Sequence, residues 1–380
     1  MIAPDCRIEL TSPTRLFTPE HSWALPRAGA IPPGVPGNPG PHPIVVMTLQ
    51  TVALESSDVF SGLHMMRTRD LGAHWETPVP VPTLGRQTLE DGSVMAPCDF
   101  SPRWHAASGQ LLGTGHLACY RGHELVTGDR RVTTYAFYDS AAECWGPLQK
   151  LAMPENPRFA SSGAGATQRY DLPGGDILLP IYFRGGGMKT YASTVLRCAV
   201  VGDRLEYRDH GSELTIPVDR GFCEPSITHF NGRFYLTIRN DQRGYVAVSD
   251  DGLHYDEPVP WCWDDGSDLG NYNTQQHWIT HRDALFLAYT RRGAENDHVF
   301  RNRAPLFMAQ VDPATLRVIR ESERILMPNR GARLGNFAVT EVSPHETWVT
   351  DAEWMQPRGC ERYGSDGSVW VTRILWETPA

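Results

Sequence analysis

The sequence predicts an all-β protein that forms a single β-propeller domain over residues 1–380. Long stretches with apolar residues at helical spacing are absent. Short runs of β-branched and aromatic residues alternate with Gly, Pro, Asp and Asn instead, a pattern typical of antiparallel strands. These runs group into six strand-only units, each of about the length expected for a propeller blade.

The six units lie at about 42–85, 92–152, 167–200, 226–261, 278–311 and 337–376. In the fourth unit the pair Asn231-Gly232 separates two strand-like runs, which is the strongest short signal for a hairpin. The last unit lacks an outer strand. We expect the N-terminal segment Cys6–Leu10 to supply it and so to close the ring.

Charge and composition exclude several classes of protein. The chain has 35 Lys and Arg against 44 Asp and Glu, a net charge of −9, whereas nucleic-acid binding needs a basic surface. The sequence contains no run of roughly 18 apolar residues, so no transmembrane helix is predicted. The N-terminus shows no signal peptide, and the eight cysteines form no C-x-x-C pair. We therefore expect a cytoplasmic protein with reduced thiols; a secreted protein whose leader has been removed is the alternative.

A turn motif recurs after strands of these units. Residues 68–75 read Thr-Arg-Asp-Leu-Gly-Ala-His-Trp and match S/T-x-D-x-G-x-x-W, and partial copies lie at 249–255 and 138–145. In such a turn Asp accepts backbone N–H groups and Gly supplies a positive φ. The motif resembles the Asp-boxes of sialidase-like propellers (BNR repeats). That resemblance implies that Asp70, Asp251 and Trp75 serve folding and not catalysis.

Polar clusters at inner-strand positions are the candidates for a functional site, because propeller sites gather at the central axis. His105, His116 and His277 fall near corresponding starts of different units, where we expect them to converge. Arg169 lies in an apolar strand, and burying an unpaired guanidinium is costly. It must therefore meet an anion, either an internal carboxylate such as Glu224 or a carboxylate of the substrate.

Several segments resemble propeller enzymes that cleave the rhamnose–glucuronate linkage of plant arabinogalactan. They are 112–116, 167–182, 273–278 and 298–309. That group includes L-rhamnose-α-1,4-D-glucuronate lyases and an α-L-rhamnosidase, and its rings have seven blades. The resemblance implies β-elimination, in which Arg holds the uronate carboxylate while His and Tyr exchange protons with the sugar.

The resemblance assigns the catalytic roles to four residues and substrate binding to eight more. The catalytic candidates are His116, His105, Tyr182 and Arg169. The substrate-binding candidates are Gln168, Arg184, Glu224, Gln276, His277, Arg301, Arg303 and Asn336.

Two alternatives stay open. A propeller glycoside hydrolase, of the α-L-rhamnosidase or sialidase-like kind, would use paired carboxylates. A sialidase would further need three axial arginines, a Tyr–Glu pair, an Asp and an N-terminal Arg-Ile-Pro segment, and no Arg-Ile-Pro occurs here. A non-catalytic carbohydrate-binding propeller would use exposed aromatic residues. The carboxylates available are Asp171, Glu224, Glu341, Asp351 and Glu353, and the aromatic candidates are Trp261, Trp263 and Trp354.

The expected partner is an oligosaccharide or polysaccharide that contains uronic acid, with neither nucleic acid nor membrane involved. No cofactor is required by these motifs. A structural or active-site divalent cation, Ca²⁺ or Zn²⁺, is the one cofactor that the predicted site could take.

Overall fold

The computed structural model describes residues 5–56, 58–122, 124–126 and 131–379. Among these residues the strands are accompanied by five short 3₁₀ turns and by no α-helix. No helical turn in this part of the chain is long or apolar enough to span a membrane. The 3₁₀ turns are Pro82–Leu84, Pro157–Ala160, Phe300–Asn302, Arg320–Ser322 and Cys360–Tyr363.

The described strands form six sheets, which confirms the predicted all-β propeller; the seventh blade implied by the second resemblance is not seen among the described residues. The N-terminal strand is β1 (Cys6–Arg15). Blade 1 contains β2 (His21–Ile31), β3 (Ile44–Ala53), β4 (His64–Thr68) and β5 (Val79–Pro80). Blade 2 contains β6 (Gln87–Thr88), β7 (Val94–His105), β8 (Gln110–Arg121), β9 (Glu124–Leu125), β10 (Val132–Asp139), β11 (Cys144–Trp145) and β12 (Gln149–Lys150).

The remaining four blades follow in chain order. Blade 3 contains β13 (Ser162–Gly163), β14 (Tyr170–Asp171), β15 (Asp176–Phe183), β16 (Ala192–Val201) and β17 (Arg204–His210). Blade 4 contains β18 (Cys223–Phe230), β19 (Arg233–Arg239), β20 (Gly244–Ser249) and β21 (Val259–Pro260). Blade 5 contains β22 (Cys262–Trp263), β23 (His277–His281), β24 (Ala284–Tyr289), β25 (Leu306–Asp312), β26 (Arg317–Val318) and β27 (Arg324–Met327). Blade 6 contains β28 (Ala338–Ser343), β29 (Glu346–Ala352) and β30 (Ser368–Trp376).

The N-terminal strand closes the ring as predicted. β1 pairs antiparallel with β30, with Cys6 opposite Trp376 and Arg15 opposite Ser368, so it is the outer strand of blade 6. A propeller without this closure would leave an open sheet edge. The two ends of the chain therefore share one blade.

Polar side chains join the inner strands of neighbouring blades. Between blades 6 and 1, the hydroxyl of Thr340 donates to the carbonyl of Ala28 over 2.7 Å. Between blades 4 and 5, Ser226 Oγ lies 2.8 Å from His277 Nδ1. Because these groups are buried, their hydrogen bonds also satisfy polar atoms that would be costly to leave alone.

The first inner strand, β2, was missed in the sequence, where the first unit was placed at about 42–85. Pro26 and Gly29 interrupt its apolar pattern, and both residues weaken a strand signal. Pro26 is accommodated because the register with β3 shifts between Ala24 and Arg27. The omission also hid Arg27, a fully buried residue on the propeller axis.

The Asp-box turns have the expected local geometry. Asp70 Oδ1 accepts the backbone N–H of His74 over 2.9 Å and the hydroxyl of Thr68 over 2.9 Å. Trp75 packs on Trp348 of blade 6, with ring centroids 5.8 Å apart. The turn thus links blade 1 to blade 6, far from the axis.

Replacing Asp70 with Ala is expected to lower the free energy of unfolding by about 1 kcal/mol, because the contacts of its side chain with Thr68 and His74 are lost at a partly exposed position. Turnover should stay at the wild-type value. Thermal melting and a rate assay of the same preparation test this. A variant that melts normally but has lost turnover would contradict the structural role.

One face of the ring is distinguished by the direction of the strands that meet it. In each blade the inner strand begins on this face and the second strand ends there, because neighbouring strands are antiparallel. Loops after second strands and residues at the start of inner strands therefore converge on it. We call it the site face.

Candidate functional site

A cavity of about 220 Å³ opens at the centre of the site face. We call it the arginine pocket, because guanidinium groups from blades 2, 4 and 5 and from the connections between blades 3 and 4 and between blades 5 and 6 line it. Its charged residues are Asp58, Asp99, Glu224, Arg131, Arg220, Arg239, Arg301, Arg303 and Arg333. Among the described residues that line it, six cations stand against three carboxylates, so the pocket is suited to a negatively charged ligand.

Bulges in three inner strands direct side chains into the pocket. Leu25, Asp99 and Glu224 have φ values of 55°, 51° and 50°. The strand register shifts at the same places, between Ala24 and Arg27, between Cys98 and Ser101 and between Cys223 and Ser226. Left-handed backbone at a non-glycine residue is strained, and such strain and bulges concentrate at functional sites.

Glu224 is held by a close ion pair. Its Oε1 accepts Nη1 of Arg239 over 2.6 Å, and both side chains are about nine-tenths buried. Burial alone would raise the pKa of Glu224, but the charge and hydrogen bond of Arg239 outweigh it and lower the pKa to about 2. Glu224 is therefore ionised at every physiological pH.

Arg301, Arg303 and Arg333 have no carboxylate within 4.0 Å in the described part of the chain, and we call them the unpaired arginines. Arg303 donates from Nε to the carbonyl of Asn273 over 3.1 Å, and Arg333 donates to Gln356 Oε1 over 2.9 Å. Burial, together with the positive charges of neighbouring arginines, lowers the pKa of Arg303 well below its usual range. Like charges this close, in a partly buried site, favour a bound anion.

Arg27 forms the floor of the pocket on the propeller axis. From blade 1 it donates to Asp99 Oδ1 of blade 2 over 2.7 Å and to Gln275 Oε1 of blade 5 over 3.2 Å. Burial raises the pKa of Asp99, the charge of Glu224 adds to this, and Arg27 opposes it. Behind Arg27 a second cavity of about 200 Å³ opens on the opposite face, lined in part by Arg103 and Glu341.

His116 and Tyr182 stand on the same wall of the arginine pocket. Their rings lie edge to face with centroids 6.3 Å apart, and the guanidinium of Arg131 lies 4.7 Å from the ring centre of Tyr182. Burial lowers the pKa of His116 well below its usual range, and Arg131 and Arg27 lower it further. Burial raises the pKa of Tyr182 well above its usual range. His116 is thus neutral and Tyr182 protonated.

The predicted convergence of three histidines does not occur. His105 lies at the far end of β7, seven residues beyond Cys98, and its ring nitrogens contact Ser108 Oγ and the carbonyl of Gly175 over 2.7 and 2.8 Å. Strands advance about 3.3 Å per residue, so His105 and His116 face opposite ends of the ring. His277 lies below the pocket, bonded to Ser226 and Gln275.

Arg169 also lies outside the arginine pocket. Its Nε and Nη2 donate to the two carboxylate oxygens of Asp171 over 2.9 and 3.3 Å, and Nη1 donates to the carbonyl of Leu112 over 2.7 Å. The internal partner of Arg169 is therefore Asp171 and not Glu224. The guanidinium joins blade 3 to blade 2.

Some of the other predicted binding residues have structural roles, and others line the arginine pocket. Gln168 bonds with the backbone of Trp278, and Gln276 with Thr237 and the carbonyl of Thr274, so both hold the fold together. Arg184 does not line the pocket itself: its guanidinium lies 4.8 Å from the ring centre of Tyr191, which packs on the pocket residue Tyr182 with ring centroids 5.5 Å apart. The predicted residues that the structure brings together in the arginine pocket are His116, Tyr182, Glu224, Arg301, Arg303 and Asn336.

Sequence reasoning missed half of the pocket. The missed residues are Asp58, Asp99, Arg27, Arg131, Arg220, Arg239 and Arg333. Arg239 is the last residue of a second strand, Asp58 follows a second strand, and Asp99 lies in an inner strand. If the order of the strands within each blade had been assigned correctly, the positions of these residues would have placed them on the site face.

The three tryptophans proposed as exposed sugar-binding surfaces are buried. Trp261, Trp263 and Trp354 expose 0%, 3% and 3% of their surface, because they fill the space between strands and blades. This corrects the observation behind the carbohydrate-binding alternative. Of the three, Trp354 lines the arginine pocket, where the guanidinium of Arg333 stacks 4.0 Å from its ring centre.

Asp351 lies buried near the pocket floor. Its Oδ1 accepts the backbone N–H of Ala352 over 2.8 Å, and its Oδ2 has no hydrogen-bond partner in the described structure. Burial raises the pKa of Asp351 to about 7. Between about pH 4 and 7 the folded protein therefore holds a proton that the unfolded chain has lost, so stability falls as the pH rises through this window.

Replacing Asp351 with Asn is expected to remove this loss of stability at rising pH. At pH 8 the variant should be more stable than the wild type by about 1–3 kcal/mol, the usual cost of an unsatisfied buried polar group, and at pH 4 the two should be nearly equal. Melting curves at both pH values test this. Asp250→Asn, at a side chain that is 88% exposed, is the matched control. Parallel pH curves for wild type and Asp351→Asn would contradict the assignment.

Among the described residues, one group of three side chains could hold a metal ion. Ligand atoms of Cys98, Asp99 and His116 lie within 4.8 Å of one another on the pocket wall. Sulfur, carboxylate and imidazole together suit Zn²⁺ better than Ca²⁺. The positive charges of Arg27 and Arg131 beside His116 oppose a cation there. The divalent cation stays a prediction.

No protein-family model and no curated protein matches the chain. Solved structures do match it. A protein of unknown function from Dyadobacter fermentans aligns with a TM-score of 0.62 at 12% identity, over 97% of this chain and 99% of its own. A Hadza microbial sialidase aligns with a TM-score of 0.63 at 11% identity, over 94% of this chain and 66% of its own.

The sialidase of Trypanosoma rangeli in complex with sialic acid aligns with a TM-score of 0.59 at 12% identity, over 94% of this chain and 54% of that one. The present chain thus spans about half the length of the trypanosomal protein. At such identities the likeness establishes the shared propeller fold. Nothing in these structures points to the rhamnose–glucuronate-cleaving enzymes.

Proposed function

We propose that this protein cleaves glycosidic bonds of sugars that carry a carboxylate, by hydrolysis. The observation that carries the proposal is the set of unpaired arginines beside the ionised Glu224. A carboxylate of the ligand would pair with Arg301, Arg303 and Arg333, which have no carboxylate within 4.0 Å among the described residues, and the fork of a guanidinium binds both of its oxygens.

Two carboxyl groups of opposite pKa shift supply the chemistry. Glu224 has its pKa lowered to about 2, whereas the pKa of Asp99 is raised. Paired titratable groups with divergent pKa values are typical of acid–base catalysis. We assign the ionised Glu224 to attack or to water activation, and Asp99 to proton donation.

The balance of the reaction is simple. One water is consumed, the bond between the anomeric carbon and the leaving oxygen breaks, the anomeric carbon gains a hydroxyl and the leaving oxygen gains a proton. The similarity to sialidase structures supports a carboxylate sugar as the substrate class. Leu25 of the first inner strand lines the pocket, and no Arg-Ile-Pro segment occurs. We therefore propose the class of acidic sugars and not sialic acid in particular.

A uronate lyase is the second candidate, and the pair His116 and Tyr182 favours it. A neutral imidazole can accept the C5 proton of a uronate, and a protonated phenol can donate to the leaving oxygen. The C5 electrons then form a C4–C5 double bond as the C4–oxygen bond breaks, so that no water is consumed. A rhamnose–glucuronate linkage is the substrate that the sequence resemblance implies for this reaction.

Product analysis distinguishes the two candidates. The purified protein is incubated with fluorogenic glycosides of glucuronic acid, sialic acid and galactose, and with a rhamnose–glucuronate oligosaccharide. Release of fluorophore from an acidic glycoside but not from galactose supports the hydrolase. A rise in absorbance near 235 nm supports the lyase. Binding and cleavage of the neutral glycoside alone would overturn the proposal.

An exposed arginine permits a test of the carboxylate contact with little risk to folding. Replacing Arg301 with Gln is expected to raise KM for the acidic substrate about 10- to 100-fold, because one charged hydrogen bond is lost. The matched control is Arg233→Gln, which removes an exposed arginine paired with Asp250 at the β18–β19 side of blade 4. Equal KM values for both variants would contradict the role of Arg301.

A further inference from the structure

A second cationic cluster lies across the arginine pocket from the unpaired arginines. Arg131 precedes β10 of blade 2, and Arg184 follows β15 of blade 3. The unpaired arginines belong to blade 5 and to the connection between blades 5 and 6. In a ring of six blades these two boundaries are diametrically opposed. The two clusters therefore approach a ligand from opposite sides.

Both arginines of this cluster stack on one ring. The guanidinium of Arg131 lies 5.5 Å and that of Arg184 lies 4.8 Å from the ring centre of Tyr191. Arg131 also donates to the Tyr191 hydroxyl over 3.1 Å and covers the ring of Tyr182. We call Arg131 and Arg184 the tyrosine-stacked arginines.

The stacking fixes two positive charges that no carboxylate among the described residues neutralises. Neither guanidinium has a carboxylate within 4.0 Å in the described part of the chain. Aromatic rings orient a guanidinium but leave its N–H groups free for an anion. Like charges on a shared ring repel each other, and a bound oxyanion relieves that repulsion.

Glycine at position 163 keeps Arg131 in this place. A Cβ atom at Gly163 would lie 2.5 Å from Cδ and 2.9 Å from Cγ of Arg131. The inner strand of blade 3 thus leaves room for the arginine stem against its backbone. Arg131 is therefore packed against the backbone of blade 3 at the pocket wall.

We propose that the arginine pocket binds two anionic groups of one substrate. The unpaired arginines hold the carboxylate of the sugar to be cleaved, and the tyrosine-stacked arginines hold a second oxyanion on the adjoining part of the molecule. The substrate class is therefore a dianionic glycoside. The inference rests on the proposed function, because it assumes that the pocket binds an acidic sugar.

The second oxyanion has two chemical sources, a uronate carboxylate or a sulfate ester. Both present two or more oxygens to a guanidinium fork, so the same arginines fit either. The charges of Arg131 and Glu224 both act on Tyr182, so this cluster lies close to the carboxylate that we assign to catalysis. A ligand with one charge would occupy only half of the site.

Titration calorimetry of the full chain with three disaccharides tests the inference. One carries a single uronate, one carries two uronates, and one carries a uronate and a sulfate ester. The wild type is expected to bind at least one of the two dianionic disaccharides about 10- to 100-fold more tightly than the monoanionic one, the gain typical of charged hydrogen bonds. The tighter of the two identifies the source of the oxyanion.

Variants test whether the tyrosine-stacked arginines cause the gain in affinity for the dianionic disaccharide. Arg184→Gln, at a partly exposed position, and Arg131→Gln are expected to reduce that gain to less than about threefold while monoanionic binding is retained. Arg197→Gln on the same blade, which loses only an exposed pair with Asp176, keeps the gain. Thermal melts confirm folding of each variant.

Failure of the inference and failure of the proposed function give different results. Equal affinity for monoanionic and dianionic disaccharides overturns the second anion site and leaves the proposed function standing. A gain that survives in both Arg131→Gln and Arg184→Gln also overturns it. Absence of binding for all three acidic disaccharides overturns the proposed function and the inference together.

Discussion

Replacing Glu224 with Gln is expected to lower kcat on an acidic glycoside by about 10²- to 10⁴-fold, the range for removal of a group that acts directly in proton transfer or attack. The amide oxygen can still accept Nη1 of Arg239, so the pocket keeps its shape. KM should change much less, because the substrate carboxylate is bound by the unpaired arginines. Steady-state rates at a temperature well below the melting point measure the effect.

Glu341→Gln is the matched control for this experiment. Glu341 is 58% exposed and lines the cavity on the opposite face of the ring, beside Arg103. The control should retain the rate of the wild type. If Glu224→Gln were as active as Glu341→Gln, the assignment of Glu224 would be wrong. If only Glu341→Gln lost activity, the functional cavity would be the one behind Arg27.

Replacing Arg169 with Ala is expected to lower the free energy of unfolding by about 3–5 kcal/mol, the usual cost of breaking a buried ion pair. The change leaves Asp171 without its partner and leaves carbonyl groups of blade 2, such as that of Leu112, without a donor. Arg169→Lys should recover little, because one ammonium cannot reach these acceptors at once. Chemical denaturation of both variants measures the loss.

The matched control is Arg197→Ala, which removes an exposed ion pair with Asp176 on the same blade and should cost less than about 1 kcal/mol. The folded fraction of Arg169→Ala should turn over substrate at the wild-type rate. A variant that unfolds like Arg197→Ala but has lost turnover would instead support the catalytic role predicted from the sequence.

The architecture could be predicted from the sequence because turn residues and the number of strands indicate it directly. Asn231-Gly232 adopts φ values of 48° and 79°, as a tight hairpin requires. The segment Cys6–Leu10 was predicted to close the last blade because that blade lacked an outer strand, and it pairs with β30. These features depend on neighbours in the chain or on counting strands.

The pocket was harder to predict because it depends on bulges and on distant partners. Side-chain alternation along a strand does not reveal that Asp99 and Glu224 adopt a left-handed backbone and turn into the cavity. The sequence also cannot tell which arginine has an internal partner. Arg169 directly precedes β14 and Arg239 ends β19, yet the first is neutralised by Asp171 outside the pocket, and the second pairs with Glu224 within it.

The crystal structure of the protein soaked with a carboxylate monosaccharide, such as glucuronic acid, tests the central claim most directly. The account predicts that the sugar lies in the arginine pocket, with its carboxylate within about 3 Å of guanidinium nitrogens of Arg303 and Arg333. A sugar bound in the opposite cavity beside Arg103, or one bound in the arginine pocket with its carboxylate directed to solvent, would contradict it.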